Sequence, residues 1–116
     1  MSEIKRLYVG NRYSQCSIHN GTVYLAGQVA QNTKAEIKGQ TVEVLASIDK
    51  LLIEAGTNKG RILMAQIFLA DISDYSAMNE VWDAWVAKES PPSRATVQAK
   101  LSHFDEKIEI VVTAAL

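Results

Sequence analysis

Hydrophobic and polar positions alternate along the chain in short blocks, each with the period of one secondary-structure type. Residues 13–18 and 22–29 have the pattern of two strands. The Asn20-Gly21 pair between them predicts a type I′ hairpin turn, because both positions tolerate a positive φ. Three further strands are predicted at residues 61–72, 95–101 and 107–115.

Two other segments carry apolar residues at helical spacing. The first is predicted to be a helix over residues 39–55, with Gly56 as its left-handed C-terminal cap. Its apolar stripe is formed by Leu45, Ile48, Leu52 and Ala55. The second helix is predicted to begin at a Ser73 or Asp74 cap and to end near residue 88. Its stripe contains Ala77, Met78, Val81, Trp82 and Trp85.

The predicted element order is ββαβαββ, an α+β fold with one sheet and two helices on one face. Both faces of two strands are apolar, which indicates that both are buried. In the third strand Ile62, Met64 and Phe68 are predicted to share one face, and Leu63, Ala65, Ile67 and Leu69 the other. In the last strand one face is predicted to carry Ile108, Ile110, Val112 and Ala114. The other face is predicted to carry Glu109, Val111, Thr113 and Ala115. Either another subunit covers the second face, or that face is a moderately apolar surface.

Composition narrows the functional classes. The 116 residues fit one domain, and 47% hydrophobic with 22% charged residues is typical of a globular chain. A net charge of −1 makes nucleic acid an unfavoured partner. No apolar run reaches the ~20 residues that span a membrane, and the first residues lack a signal peptide's apolar segment. The single Cys16 excludes an internal disulfide. We expect a soluble cytoplasmic protein.

Three polar residues on the last two predicted strands are candidates for chemistry. Arg94 and Thr96 alternate with the apolar residues of their strand, which suit the face that the helices cover. Glu109 alternates in the same way with the apolar residues of the last strand. All three are therefore expected to point away from the helices. On neighbouring strands they would converge into an anion site with an acid–base group. The alternative is a structural Arg94–Glu109 ion pair.

The remaining residues give weaker signals. His19 and His103 fall near predicted turns, and Cys16 lies on a strand without a histidine in register. Trp82 and Trp85 have core spacing on a helix. No phosphate-binding glycine motif and no metal-ligand spacing is present in the sequence, so neither a cofactor nor a metal is expected.

An ordered set of short motifs resembles the RidA family, also called YjgF or RutC-like, of reactive enamine/imine deaminases. The motifs are Tyr13-Ser14-Gln15, NGTVYLAGQ at residues 20–28, Gln40-Thr41, Ala55-Gly56, Met78-Asn79, Pro92-Ser93-Arg94 and KIEI at residues 107–110. The resemblance implies a single domain over residues 1–116, a chorismate-mutase-like fold and a homotrimer. In such trimers three sheets form a central barrel and the ligands occupy clefts between subunits.

The resemblance also implies roles for particular residues. Arg94 would bind the substrate carboxylate and Glu109 would position or activate water. The matching substrate-binding positions are Tyr13, Gly27 and Asn79. Two positions depart from the commonest family pattern: Ala26 replaces a serine, and Thr96 replaces a cysteine and offers a different hydroxyl.

The implied reaction is hydrolysis of short 2-enamino or 2-imino acids to 2-keto acids and ammonia, without metal or cofactor. One alternative is a non-enzymatic sensor that binds 2-keto acids in the same cleft, and turnover distinguishes the two. A protein-directed or RNA-directed role is a second alternative, but the near-neutral charge disfavours RNA.

Overall fold

The structure, a computed structural model, describes residues 3–116. Within that range the chain forms seven strands and two α-helices. The strands are β1 (Lys5–Val9), β2 (Ser14–His19), β3 (Thr22–Leu25), β4 (Gln28–Val29), β5 (Ile62–Leu69), β6 (Ser93–Gln98) and β7 (Ile108–Ala115). The helices are α1 (Ile37–Ala55) and α2 (Tyr75–Trp85).

All seven strands belong to one mixed sheet, in the order β1-β2-β3-β7-β5-β6, with β4 also paired to β7. Only β5 and β6 run parallel, because α2 connects them as a crossover. Helix α1 packs on the middle of the sheet, and α2 packs beside α1. The predicted α+β class with one mixed sheet and two helices is therefore confirmed.

The observed order has two strands more than the predicted ββαβαββ. The predicted strand over residues 22–29 is interrupted at Ala26-Gly27, which divides it into β3 and β4. Strand β1 was not predicted from the sequence. Only Leu7 among its five residues is partly buried, so the segment lacks the apolar pattern of a strand that packs on a core. Such an edge strand is held by its backbone pairing with β2 and shows no apolar alternation.

The predicted helical stripes are confirmed, although one helix is shorter than expected. Leu45, Ile48 and Leu52 are almost completely buried, and Gly56 has the left-handed φ of 97°. Both turn residues Asn20 and Gly21 have positive φ, as the hairpin prediction requires. Helix α2 ends at Trp85 rather than near residue 88. There the Lys59 Nζ donates to the Trp85 carbonyl at 2.6 Å and Val86 turns to an extended backbone.

A β-bulge corrects the predicted faces of β5. Ile62 pairs with Ala114 and Met64 with Thr113, so Leu63 is the extra residue. The bulge places Ile62 in the core, with Ala65, Ile67 and Leu69. Leu63 was expected to share that face but is 52% exposed.

The two faces of the sheet differ in how well the chain covers them. Ile108, Ile110, Val112 and Ala114 of β7 are buried under the helices, as predicted. On the opposite face Met64, Phe68 and Val111 are only partly buried. Tyr24 and Val97 on that face are about half exposed, at 51% and 48%. We call this the outer face. Its apolar side chains lack a covering layer within the described chain.

A buried amide fixes the segment that leads into β7. Gln40, on α1, has no exposed surface, and its Nε2 donates to the carbonyls of Thr33, Ala35 and Asp105. Its Oε1 accepts from the Lys107 backbone N–H at 2.9 Å. Since Lys107 directly precedes β7, Gln40 sets the start of the strand that carries Glu109.

Candidate functional site

Arg94 lies on the helix side of the sheet, not away from the helices as the sequence pattern predicted. It is directly opposite Ala65 on the parallel neighbour β5, and Ala65 faces the helices with no exposed surface. Neighbouring residues in register share a face, so Arg94 faces α2. Thr96 is in register with the buried Ile67 and also lies on the helix side, so its predicted direction is wrong as well. The alternation of β6 gave the wrong face because β6 is an edge strand. At this edge α2 presents polar groups, while Val97 points to the outer face.

Two side chains of α2 bind the Arg94 guanidinium. Nη1 donates to Asn79 Oδ1 at 2.8 Å, and Nη2 donates to the Tyr75 phenol oxygen at 3.0 Å. The guanidinium carbon also lies 5.7 Å from the Tyr75 ring centroid and 5.2 Å from that of Trp82. Both distances allow a cation–π attraction. We call Arg94, Asn79, Tyr75 and Trp82 the arginine cluster.

The arginine cluster borders an open pocket. Ile72, Tyr75, Arg94 and Thr96 line a cavity of about 470 Å³. Thr96 Oγ1 is buried and has no hydrogen-bond partner among the described residues. An unpaired buried hydroxyl is costly, so it marks a position where a ligand or a partner group would be stabilised. Hydrogen bonding to Asn79 and the positive charge of Arg94 lower the pKa of Tyr75.

Glu109 lies on the outer face, where strand alternation predicted it. It pairs with Phe68 on β5 and with Val29 on β4. Burial raises the pKa of the Glu109 carboxyl, and the negative charge of Glu106 raises it further. A carboxyl with a raised pKa is better suited to exchanging a proton near neutral pH.

Gly27 occupies the break between β3 and β4 because Glu109 approaches the backbone there. A Cβ at position 27 would overlap Glu109 Oε2 and lie 2.8 Å from its Cδ. A larger residue here would require the Glu109 carboxylate to move. Tyr13 lies just before β2 and is 63% exposed. The Ala26 N–H bonds to the Gln15 carbonyl at 2.9 Å, which places Tyr13 and Gly27 at the same end of the hairpin. Glu109 and Gly27 form what we call the glutamate cluster.

The two clusters do not meet within one chain. Strand β5 separates β6 from β7, and Arg94 and Glu109 project from opposite faces of the sheet. Within one chain, the expected convergence on neighbouring strands is therefore wrong, and so is the alternative of an Arg94–Glu109 ion pair. Over residues 3–116 the one salt bridge joins Lys38 and Glu80 on the helices.

The sequence signals for Tyr75 and Trp82 were present but were not connected to Arg94. Tyr75 and Asn79 are four residues apart on a helix and therefore share a face. Trp82 has core spacing and is indeed buried. Its contact with a cation depends on the β6 register, which only the three-dimensional structure provides.

Other candidate groups lie apart from both clusters. Cys16 is completely buried on β2, and burial raises the pKa of its thiol. No group of three potential metal-binding side chains occurs in the part of the chain that the structure describes. Neither helix in that part is long and apolar enough to cross a membrane.

The fold and the two clusters describe a small α+β domain with a hydrogen-bonded arginine beside an open pocket on one face and a partly buried carboxyl with a raised pKa on the other. The family model described as endoribonuclease L-PSP matches residues 3–116. A RutC family protein of Haemophilus influenzae is 53% identical over 112 residues, covering 96% of this chain and 97% of that protein. The RutC family protein YoaB of Escherichia coli is 46% identical over 113 residues, covering 97% and 98%.

Solved structures agree with these sequence relatives. A YjgF-family protein of Neisseria meningitidis superposes with a TM-score of 0.95 at 42% identity, covering 97% of this chain and 94% of that one. The chain belongs to the RidA/YjgF/RutC family.

Proposed function

We propose that this protein is a hydrolytic deaminase that converts short 2-enamino or 2-imino acids to 2-keto acids and ammonia. The observation that carries the proposal is the arginine cluster beside an open pocket. A guanidinium has five N–H donors, and Asn79 and Tyr75 each use one. The three remaining donors suit a carboxylate, which arginine binds through two parallel hydrogen bonds.

The reaction needs a water molecule and a proton acceptor next to the bound imine. The outer-face Glu109 supports this role, because burial raises its pKa and so brings its proton exchange closer to neutral pH. Water adds to C2 of the imine and loses a proton to Glu109. That proton then reaches the nitrogen, which gives a carbinolamine. The carbinolamine hydroxyl passes its proton to the nitrogen through Glu109, the C–N bond breaks as the carbonyl forms, and ammonia and the 2-keto acid leave. Because the imine carbon is already electrophilic, positioning supplies much of the acceleration.

A complete site requires a second subunit in this proposal. Arg94 and Glu109 project from opposite faces of one sheet, so the arginine cluster of one subunit would face the glutamate cluster of its partner. We propose the homotrimer of the family as the assembly. The partly exposed Met64, Phe68 and Val111 support it, because burial of this apolar outer face stabilises association.

Competition for a free imine tests the activity. An amino-acid oxidase generates 2-imino acids in the presence of semicarbazide, which traps them as semicarbazones. We expect the protein to lower the rate of semicarbazone formation and to increase the release of the 2-keto acid. Unchanged trapping with every amino acid tried would defeat the deaminase proposal. Calorimetric binding of a 2-keto acid without turnover would favour a sensor that uses the same cleft.

A further inference from the structure

Tyr75 contacts Arg94 in two ways at once. Its phenol oxygen accepts from Nη2 at 3.0 Å, and its ring lies 5.7 Å below the guanidinium carbon. No other described residue combines a hydrogen bond to this guanidinium with a ring contact: Asn79 supplies only the hydrogen bond, and Trp82 only the ring. Tyr75 therefore restrains both the position of Nη2 and the plane of the guanidinium.

The backbone of Tyr75 is itself tied to the strand that carries Arg94. Tyr75 is the first residue of α2 and directly follows a short turn, Ile72–Asp74. The Ile72 N–H donates to Gln98 Oε1 at 2.8 Å, and Gln98 lies on β6 with Arg94. The Asp71 side chain fixes the same turn by accepting from the Ser73 N–H at 2.9 Å. The phenol is thus held in register with the arginine.

We propose that Tyr75 is a positioning residue of the carboxylate-binding site, holding the Arg94 guanidinium in the orientation in which its free N–H donors bind the substrate carboxylate. This inference rests on the proposed role of Arg94. A free arginine side chain populates many rotamers, and it loses that freedom when it binds a ligand in one geometry. An arginine that is already held by Tyr75 has lost part of that freedom before the substrate arrives, so binding is tighter.

The hydroxyl and the ring can be tested separately. Tyr75→Phe removes only the phenol oxygen, and Tyr75→Leu also removes the aromatic face. The measured quantities are the Kd of a 2-keto acid, 2-oxobutyrate, by calorimetry, and the kcat and KM of imine hydrolysis. We expect Tyr75→Phe to raise Kd and KM about 3- to 10-fold, the usual effect of one hydrogen bond, with kcat within about twofold. Tyr75→Leu should raise Kd and KM further.

Tyr8→Phe is the matched control. It also removes one phenol hydrogen bond, the 2.5 Å contact with Glu54, but Tyr8 lies on β1, away from Arg94. The control should leave Kd and KM at wild-type values. A folded Tyr75→Phe protein with wild-type Kd and KM would overturn the inference. So would a loss confined to kcat, since that would indicate proton transfer rather than positioning.

Arg94→Ala, measured in the same assays, separates this inference from the proposed function. If Arg94→Ala loses binding while Tyr75→Phe binds like the wild type, only the positioning role fails. If Arg94→Ala binds 2-oxobutyrate normally, the carboxylate-binding role of Arg94 fails, and the positioning role fails with it.

Discussion

Arg94 and Glu109 flank the same strand but project from opposite faces of it. Arg94 is in register with Ala65 of β5, and Glu109 with Phe68, three residues further along. No rotation of either side chain brings them together, because the sheet lies between them. Any site that uses both groups must therefore combine Arg94 of one subunit with Glu109 of another.

This geometry predicts complementation between two inactive variants. Arg94→Ala lacks the proposed carboxylate anchor and Glu109→Gln lacks the proposed base. A mixed trimer of the proposed assembly would nevertheless pair an intact Arg94 with an intact Glu109 at one of its three interfaces. After unfolding and refolding of an equal mixture, random assembly should restore about one quarter of the wild-type activity. Imine hydrolysis by the mixture, compared with each variant alone, is the measurement.

A doubly substituted chain supplies the control for that experiment. Arg94→Ala/Glu109→Gln refolded with either single variant forms no interface with both groups intact, so no activity should return. If the equal mixture of single variants also remains inactive although mixed trimers form, the two-subunit site is wrong.

The sequence predicted the core better than it predicted the edges. The buried stripes of α1 and β7 follow from periodicity, because every residue of a stripe packs against the same layer. The orientation of Arg94 does not follow from it. On an edge strand, polar side chains face the helices when a helix offers partners, and Asn79 and Tyr75 do so here. The bulge at Leu63 reverses the alternation locally, and no sequence signal marked it.

The resemblance to known relatives supplied what the periodicity could not. It selected Gly27 and Tyr13, which have no obvious chemistry in the sequence. The structure places Gly27 against Glu109, and Tyr13 at the same end of the β2–β3 hairpin as Gly27. It did not select Tyr75. The contact between Tyr75 and Arg94 follows only from the β5–β6 register, which places Arg94 beside α2.

Gly27→Ala should displace Glu109. The added Cβ would overlap Oε2 and lie 2.8 Å from Cδ, so the carboxylate must move or the β3–β4 break must shift. Because these atoms are the end of a flexible side chain, we expect a loss of about 1 kcal/mol in the free energy of unfolding, the low end of the cost of overpacking. Turnover should fall because Glu109 no longer reaches the water. Chemical denaturation and imine hydrolysis are the measurements.

A double-mutant cycle tests whether Glu109 causes that loss. Glu109→Ala removes every atom that a Cβ at position 27 would meet within the clash distance. Gly27→Ala should therefore cost much less stability in the Glu109→Ala background than in the wild type. Equal costs in both backgrounds would indicate that strain in the backbone at Gly27, rather than contact with Glu109, explains the requirement for glycine.

A charge on the outer face should prevent trimer formation. Val111→Asp places a carboxylate on the partly buried outer face of β7, where the proposed partner subunit would remove it from water. Val42→Asp is the matched control, since Val42 is 57% exposed on α1. We expect light scattering to report a monomer for Val111→Asp and a trimer for Val42→Asp and the wild type. A monomeric wild-type protein would contradict the proposed assembly.

Arg94→Ala should lower kcat/KM by at least ~100-fold, because a charge-assisted hydrogen bond contributes roughly 1.5–3 kcal/mol and a bidentate pair contains two. Arg94→Lys should recover little of this loss, since one ammonium does not reproduce the planar pair of donors. Light scattering first establishes that each variant is a folded trimer. A folded Arg94→Ala trimer with wild-type kcat/KM would remove Arg94 from the site.

The pH dependence of turnover should identify Glu109 as the base. Burial and the charge of Glu106 raise the Glu109 pKa, so the carboxylate takes up a proton while the pH is still above the ordinary glutamate range. Turnover should fall as the pH decreases through this raised pKa, because a protonated carboxyl no longer accepts a proton from water. Glu109→Gln should have low turnover without this acidic limb, while 2-oxobutyrate still binds.

Glu106→Gln removes one of the two causes of the raised Glu109 pKa, so the acidic limb of the turnover profile should move to lower pH, towards the unperturbed value. A Glu106→Gln limb at the wild-type position would show that another group titrates there, and an unimpaired Glu109→Gln protein would remove Glu109 from the mechanism.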